Sequence, residues 1–459
     1  MNANRFRQIW SNKKKLFSTT KLRTAQTATQ AEGDIELLTK QDAQISQISS
    51  GITVASVENY SPVTQVSAII KAGSRYETGH NLGLVHCLRH CAVLSTKNHS
   101  GFTLTRNIEI NGIKLNVTAT RDHMIYNLKC SRDSVDSGLA ILADVISNPA
   151  FKPWEVTEAS EMLPLDLALH QKRPESVLLE ALHKAAFRGG LSNSLYSEAF
   201  MIGKHKPDML HNFVRGHFTA SRTAVVGLGI AHEDLERSVG EHFHFEGGSA
   251  ESDGASKFAS GEVRIEADTP LVYSAVVAEG AGATNVKDML SLGVLQCMLG
   301  LGNHIQMSDS RFSVLGEAAA KTTTNPFYVS GLNLNYSDTG LFGAYIVGQP
   351  EDMKSLVKAV VTQMKDASKS ISESAVETAK HKLKAKLMME REISDGNMCA
   401  MALDVANHGK IRDIQELEKA IDELKATDIK AVAGRVMKAK PAMASVGRLH
   451  DTPHVDELL

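Results

Sequence analysis

Helical periodicity marks four stretches of this chain. Apolar residues recur at spacings of three and four in residues 82–96 (LGLVHCLRHCAVLST), 134–147 (SVDSGLAILADVIS), 154–170 (WEVTEASEMLPLDLALH) and 173–187 (RPESVLLEALHKAAF). Such spacing places apolar side chains on one face of a helix. Pro174 stands near the start of the last segment, where a helix accepts proline. We therefore predict one helix in each segment.

Two other stretches have the patterns of β-strands. Residues 108–117 (IEINGIKLNV) alternate between apolar and polar positions around Asn111-Gly112, a dipeptide typical of a tight hairpin turn. Residues 223–229 (TAVVGLG) form a β-branched apolar run that predicts a strand. Hairpins combined with helices favour an α+β fold, in which an antiparallel sheet is covered by helices, over a doubly wound parallel sheet.

The second half of the chain repeats the first half at a nearly constant offset in sequence number. Identical residues recur at one and the same offset in the pairs Val156/Val376, Ala159/Ala379, Leu163/Leu383, Leu167/Leu387, Asp208/Asp428, Arg215/Arg435, Val226/Val446 and Gly227/Gly447, and at an offset smaller by one in Tyr126/Tyr345 and Asp133/Asp352. A shared offset that also preserves helical spacing indicates a tandem duplication of one domain.

A stretch rich in glycine, serine and alanine separates the two copies. Residues 246–262 (EGGSAESDGASKFASGE) show no apolar periodicity, which is typical of a linker. We therefore predict an N-terminal domain at residues 40–245, a linker at 246–262 and a C-terminal domain at 263–459.

The segment 1–31 differs in composition from the rest. It contains seven basic side chains and no acidic one, and it is rich in serine and threonine without a continuous apolar core. This composition is typical of a mitochondrial transit peptide, whose cleavage site the sequence does not define. The alternative interpretation is a disordered basic tail or a nucleic-acid-binding arm. Without the seven basic side chains the formal charge changes from −2 to −9, and an acidic body does not favour nucleic-acid binding.

The cysteine spacing argues against a disulfide-linked protein, and the length of the apolar runs argues against a membrane-spanning one. The five cysteines are odd in number, and none is spaced as CxxC. This pattern indicates reduced, mostly buried thiols rather than a disulfide framework. No apolar run approaches the roughly 20 residues that span a bilayer, so we expect any membrane contact to be peripheral.

Two histidines carry the candidate chemistry. His86 and His90 are four positions apart, so a helix projects both from one face, as two metal ligands would require. A zinc hydrolase also needs a third ligand and a base that takes a proton from the zinc-bound water. Inverted zincins place a glutamate base directly before the second histidine. Arg89 stands at that position here, and its guanidinium stays protonated and cannot act as a base.

The spacing of the two histidines is weak evidence for a metal site by itself. The competing interpretation is that they lie on a helix face and bind no metal. Cys87 and Cys91 are each rotated by about 100° from the histidine before them, so one metal ion could not reach all four side chains. We predict that both cysteines are small buried residues.

The segment GLVHCLRH (residues 83–90), which follows AGSRYET (72–78), resembles the pitrilysin/insulinase-type inverzincin family. The resemblance covers nearly the whole chain after about residue 40 and implies two tandem pitrilysin-like domains. In active members the motif reads G-x-x-H-x-x-E-H, and a glutamate farther along the chain is the third zinc ligand. Asp166 falls near that downstream position here. The resemblance thus implies a relic site at His86, Arg89, His90 and Asp166, with no catalytic residue, metal or cofactor.

Four stretches are similar to one non-catalytic branch of that family, the core subunits of the mitochondrial cytochrome b-c1 complex. They are residues 185–204 (AAFRGGLSNSLYSEAFMIGK), 335–349 (NYSDTGLFGAYIVGQ), 380–392 (KHKLKAKLMMERE) and 452–458 (TPHVDEL). This similarity implies a structural subunit of complex III, peripheral to the inner membrane on its matrix side. It also implies pairing with the other core subunit and no redox centre of its own.

Two other functions stay open. One is an active zinc peptidase, which Arg89 disfavours. The other is the non-catalytic alpha-type subunit of the mitochondrial processing peptidase, a branch that carries a long glycine-rich loop early in its second half. The corresponding residues 299–318 (LGLGNHIQMSDSRFSVLGEA) contain scattered glycines and no such run.

Overall fold

The computed structural model describes residues 41–245, 256–301, 313–369 and 371–458. The predicted transit peptide and the part of the predicted linker before Ser256 lie outside this part of the chain. Within it, helices pack on both faces of two β-sheets, so the predicted α+β fold is confirmed. None of the helices in these ranges is long and apolar enough to cross a membrane.

The strands are short, and most lie near the beginning or the end of each half. Numbered along the chain they are β1 (Gln44–Gln47), β2 (Thr53–Val57), β3 (Val63–Ile70), β4 (Lys114–Ala119), β5 (Met124–Ser131), β6 (Phe187–Arg188), β7 (Thr223–Leu228), β8 (Lys257–Phe258), β9 (Glu262–Glu266), β10 (Val272–Glu279), β11 (Tyr328–Asn335), β12 (Gly340–Gly348) and β13 (Ala442–Gly447). The predicted strand at residues 223–229 is confirmed as β7.

The α-helices occupy most of the remaining described chain. They are α1 (Leu84–Cys91), α2 (Gly101–Ile110), α3 (Val135–Ser147), α4 (Pro153–Ser160), α5 (Leu163–Gln171), α6 (Pro174–Ala186), α7 (Pro207–His217), α8 (His232–His242), α9 (Val286–Leu299), α10 (Val314–Ala320), α11 (Met353–Lys369), α12 (Glu373–Glu392), α13 (Ser394–His408), α14 (Ile414–Glu423) and α15 (Ala426–Lys438).

The two large sheets share one topology. The first has the order β1-β2-β7-β3-β5-β4, and the second, read from the corresponding edge, has the order β9-β13-β10-β12-β11. Neighbouring strands are antiparallel except for one parallel pair in each sheet, β2 with β7 and β9 with β13. Each parallel pair joins a strand near the start of a half to the strand near its end. The helices between them provide the long crossover that parallel strands need.

Residues matched by the sequence repeat lie in equivalent elements. Val226 and Val446 lie in the last strand of their halves, β7 and β13, and Tyr126 and Tyr345 lie in β5 and β12. The common strand order and these matches confirm the predicted tandem duplication.

Each half supplies one helix that covers the sheet of the other half. Helix α6 comes from the first half and packs on β9, β10 and β13 of the second sheet. Helix α13 comes from the second half and packs on β3 and β7 of the first sheet. The two helices begin at Pro174 and Ser394, which are separated by the offset of the sequence repeat. The exchange is therefore reciprocal and follows the internal repeat.

Apolar side chains fill the contact between α13 and the first sheet. Ala402 is fully buried at its centre. Around it pack the buried residues Ala55, Val57, Ile69, Ile125, Ala224, Val226, Leu228, Met398, Met401 and Val405. Full burial of a valine, isoleucine or methionine side chain contributes about 1.5–3 kcal/mol. This contact therefore stabilises the union of the two halves.

A buried polar cluster also joins the halves. The Arg75 guanidinium donates to Asp122 of the first half at 2.7 Å, and to both carboxylate oxygens of Asp338 in the second half, at 3.2 and 2.9 Å. It also donates to the hydroxyl groups of Ser256 and Ser337, each at 2.9 Å. The Arg75 side chain is 5 % exposed and that of Asp122 is 8 % exposed, so the pair is shielded from water.

The predicted hairpin at residues 108–117 is wrong. Its first part belongs to α2, and Asn111-Gly112 ends that helix instead of turning between two strands. Gly112 adopts a left-handed conformation with φ +60°. The N–H groups of Gly112 and Ile113 donate to the carbonyls of Glu109 and Ile108, which is the hydrogen-bond pattern of a Schellman cap. Asn-Gly supplies the positive φ that either structure needs.

Two predicted boundaries also change. The single helix predicted at residues 154–170 forms two helices, α4 and α5, because Pro164 lacks an N–H and is accepted only in the first turn of a helix. The helix predicted at residues 82–96 is shorter and forms α1.

In the predicted linker, residues 257–258 form β8, which pairs with β6, and β9 begins at Glu262.

Candidate metal centre

Helix α1 is held at its beginning by a buried carboxyl group. Glu77 accepts hydrogen bonds from the N–H groups of Gly83 and Val85, both at 2.7 Å. Burial raises the pKa of Glu77 to about 8 and outweighs these two hydrogen bonds, which lower it. Gly83 has φ +75°, and an added Cβ there would lie 2.4 Å from the Cα of Ser197. The backbone around Ser197 is therefore packed tightly against the start of α1.

The structure places both histidines on one face of α1. Their ring centroids are 5.2 Å apart in an edge-to-face arrangement. His86 is 2 % exposed, and its Nδ1 accepts a hydrogen bond from the N–H of Ser197 at 3.2 Å. Burial lowers the pKa of His86 to about 4 and outweighs the opposing hydrogen bond with Asp166. His86 is thus neutral near pH 7.

Asp166 approaches both histidines from the first turn of α5. Its Oδ2 atom lies 3.3 Å from Nε2 of His86 and 3.0 Å from Nε2 of His90. Burial raises the pKa of the Asp166 carboxyl, but the hydrogen bonds with the histidines and the charge of Arg89 lower it more. The pKa therefore lies below its ordinary value, and Asp166 is a carboxylate at neutral pH.

Arg89 completes this cluster and contacts Asp166 and His90. One guanidinium nitrogen lies 2.5 Å from Oδ2 of Asp166 and 3.3 Å from Nε2 of His90. The side chains of Arg89 and Asp166 are 31 % and 29 % exposed, so the ion pair faces solvent on one side. The Arg89 guanidinium therefore supplies the positive charge that neutralises the Asp166 carboxylate beside the two histidines.

Three of these four residues have the donor atoms of a zinc site. His86, His90 and Asp166 each offer one ligand atom, and these atoms lie within 4.8 Å of one another, which is a suitable spacing for three zinc ligands. The Arg89 guanidinium, however, already binds the Asp166 oxygen that would face the metal, and its charge repels a divalent cation. The four residues together do not fit a zinc ion.

Cys87 and Cys91 lie on another side of α1 and belong to the core. Both are at most 2 % exposed, and their sulfur atoms are 4.0 Å apart. The Cys87 sulfur also lies 4.0 Å from the hydroxyl of Ser160 in α4. These contacts agree with the prediction that both are small buried residues.

A cavity of about 220 Å³ opens beside the start of α1. Its lining includes Glu77, Tyr196 and an ion pair between Lys184 and Glu198, whose Nζ and Oε1 atoms are 2.6 Å apart. The ring of Tyr196 also contacts the edge of the His86 ring, with centroids 5.4 Å apart. The cavity and the histidine cluster therefore share one wall.

Sequence reasoning assigned no role to Glu77 or Ser197. Glu77 lies within the AGSRYET stretch that carries the family resemblance, so a signal for it was present. Ser197 acts through its backbone N–H, which every residue except proline possesses. No side-chain pattern could have identified it.

Two family models match the chain, one in each half. The model described as "Insulinase (Peptidase family M16)" matches residues 53–199. The model described as "Peptidase M16 inactive domain" matches residues 205–383. The first match contains the complete histidine cluster.

Several curated proteins are similar over nearly their whole length. The mitochondrial cytochrome b-c1 complex subunit 2 of Homo sapiens is 38% identical over 419 residues, which cover 91% of this chain and 92% of that protein. Its counterpart from Mus musculus is 35% identical, with coverages of 92% and 93%. The mitochondrial-processing peptidase subunit alpha of Solanum tuberosum is 27% identical, with coverages of 90% and 83%.

Proposed function

Because this chain belongs to the insulinase-type peptidase family M16, we propose that it is a non-catalytic member that serves as a structural core subunit of the mitochondrial cytochrome b-c1 complex. In this role it supports the assembly of ubiquinol–cytochrome c reductase and holds no redox centre of its own. The main support is the similarity to mammalian subunits named for that complex, which is higher than the similarity to the processing-peptidase subunit.

The geometry around Arg89 supports a non-catalytic role. A peptidase of this type needs a base beside the metal-bound water, and Arg89 stands where that base belongs. It also binds the Asp166 carboxylate at 2.5 Å. A permanent cation at this place removes the base and opposes the metal at the same time.

We further propose that core protein 1 is the direct partner and that the subunit lies on the matrix side of the inner membrane. Large apolar side chains at the start of and along α5, and at and just after the end of α12, are available for such a partner, since exposed apolar patches mark protein interaction sites. The exposed residues are Met162, Leu165, Leu169, Met388, Met389 and Ile393.

The basic N-terminal segment supports import into the matrix. We propose that residues 1–31 act as a transit peptide and that the mature chain begins between about residues 18 and 40. Peptide mass spectrometry of the mitochondrial protein is expected to find no intact segment from Met1 to Lys15. Recovery of that segment from most molecules would contradict import with cleavage.

Native gels of mitochondrial membranes with mass spectrometry test the proposed complex. We expect the chain to migrate with the cytochrome b-c1 complex, with little free subunit. A chain found mainly as a soluble matrix heterodimer would instead favour the alpha-type processing-peptidase subunit, the alternative that the Solanum tuberosum relative supports. Sedimentation of mitochondrial membranes in a mild buffer separates these outcomes independently, because it keeps peripheral subunits on their complex and leaves soluble matrix proteins in the supernatant.

A further inference from the structure

The hydrogen bond from Ser197 determines which nitrogen of His86 carries its proton. A backbone N–H can only donate, so Nδ1 of His86, 3.2 Å away, is unprotonated. The single proton of the neutral ring is then on Nε2, which faces Asp166 Oδ2 at 3.3 Å. A flipped ring would place carbon atoms at both positions and lose both hydrogen bonds.

A metal-binding histidine has the opposite arrangement. The nitrogen that faces the metal offers a lone pair, and the other nitrogen donates its N–H to an acceptor. If Nε2 of His86 bound a metal, Nδ1 would have to carry the proton. Two N–H groups would then face each other across the distance to Ser197, which is unfavourable.

The backbone at Ser197 is fixed by its neighbours. The close approach to Gly83 leaves no room for movement toward α1, since even a Cβ on Gly83 would meet Ser197. On the other side, the ring of Tyr196 stacks on His170, with centroids 4.0 Å apart. The Ser197 N–H therefore keeps its direction toward His86.

We propose that His86, Arg89, His90 and Asp166 form a cross-link between α1 and α5 that is centred on Asp166 Oδ2, in which the Arg89 guanidinium supplies the positive charge that a metal ion would bring. The Ser197 N–H keeps His86 as a hydrogen-bond donor. His86 therefore offers a proton to Asp166 and no lone pair to a metal, so removal of the arginine alone does not open the cluster to zinc, whereas a free guanidinium ion can still pair with the Asp166 carboxylate. This proposal builds on the non-catalytic function proposed above but does not depend on which complex the chain joins.

The test uses the full-length chain with Arg89→Ala. We expect methylguanidinium to raise the melting temperature of this variant and zinc to leave it unchanged. The double variant Arg89→Ala with Asp166→Asn is the control, because it lacks the carboxylate and is expected to lose the response to methylguanidinium. If Arg89→Ala does not fold, Arg89→Ser carries the same titrations, since it also leaves the space beside Asp166 open.

Zinc binding to Arg89→Ala would overturn the proposal. One zinc ion per chain at 100 times its Kd would raise the melting temperature by about 3 °C, a shift that differential scanning fluorimetry detects. A missing response to methylguanidinium would also contradict it. Neither result would change the migration of the unmodified chain on native gels, so failure of this proposal and failure of the proposed function are distinguishable.

Nuclear magnetic resonance of chain labelled with ¹⁵N-histidine tests the proton position directly. We expect the Nε2–H tautomer for His86, assigned by the loss of its signals in His86→Gln. Detection of the Nδ1–H tautomer would refute the role of Ser197.

Discussion

Replacement of Arg75 by methionine should destabilise the protein strongly, because it removes five hydrogen bonds at the junction of the two halves. The Asp122 side chain is only 8 % exposed in the unmodified chain, and the variant leaves it the N–H of Ser337, at 2.9 Å, as a remaining donor. Removing one partner of a buried ion pair costs about 3–5 kcal/mol. We expect the free energy of unfolding of Arg75→Met to fall by that amount.

Urea unfolding of the purified chain at pH 7 provides the measurement. The double variant Arg75→Met with Asp122→Asn should recover about 1–3 kcal/mol, because a neutral amide removes the unpaired buried charge and still accepts from Ser337. Arg237→Met is the matched control, since its ion pair with Asp234 is exposed (59 % and 54 %) and should contribute at most about 1 kcal/mol. A cost below about 1 kcal/mol for Arg75→Met, or no recovery in the double variant, would refute the reasoning.

Three further predictions address the exchanged helix, the capping carboxyl and the relic site. Ala402→Glu should lower the free energy of unfolding by about 3 kcal/mol or more, because it buries a charge between α13 and the first sheet. Ser394→Glu, at the exposed start of α13, is the control and should have little effect. Equal urea midpoints for the two variants would contradict this prediction. The pKa of Glu77 is about 8 in the folded chain and 4.5 as its ordinary value, so its contribution to stability is complete below pH 4.5 and is lost as the pH rises to 8. Glu77→Gln should therefore reduce the decline in stability between pH 5.5 and 7.5 by an amount on the order of 2 kcal/mol, and unchanged pH dependence of the urea midpoint would count against it. Arg89→Glu alone should not create an efficient peptidase, because Asp166 is one methylene shorter than the usual ligand; Arg89→Glu with Asp166→Glu is the fairer test, by zinc content and by cleavage of a presequence-like peptide with and without chelator. Loss of the base alone lowers the rate of such a reaction by about 10²–10⁴, so we expect no turnover by the unmodified chain. Chelator-sensitive turnover by that chain would overturn the non-catalytic assignment.

The sequence predicted the repeated architecture because it depends on periodic patterns. The shared offset between the two halves survives in the side chains that pack in both, such as Val226 and Val446 in β7 and β13. The exchange of α6 and α13 could not be predicted in the same way. An apolar helix face shows that something must cover it, but it does not show which of two similar sheets it covers.

The errors arose where one local signal serves two structures. Asn111-Gly112 satisfies a hairpin turn and a helix cap equally well, and the choice depends on whether residues 101–110 are helical. Ser100 favours the helix, since its hydroxyl accepts from the N–H of Thr103 and caps the first turn. An interpretation that weighed this serine before the Asn-Gly pair would have predicted α2.

The candidate site could be predicted only in part. Helical spacing was enough to place His86 and His90 on one face, and the family resemblance was needed to add Asp166. The chemistry of His86 depends on the backbone N–H of Ser197, which is distant in sequence. Such a contact depends on the complete fold rather than on any local pattern.

The reciprocal exchange of α6 and α13 limits the order in which the chain can fold. Strand β7 ends at Leu228 and α13 begins at Ser394, so more than a third of the chain lies between them. During the import from the N-terminus proposed above, the first half reaches the matrix before α13. Until α13 arrives, the sheet face that includes Ala55 and Ile69 has no cover, so the first half exposes an apolar surface that chaperones can bind. Its folding can be completed only after most of the second half has been imported.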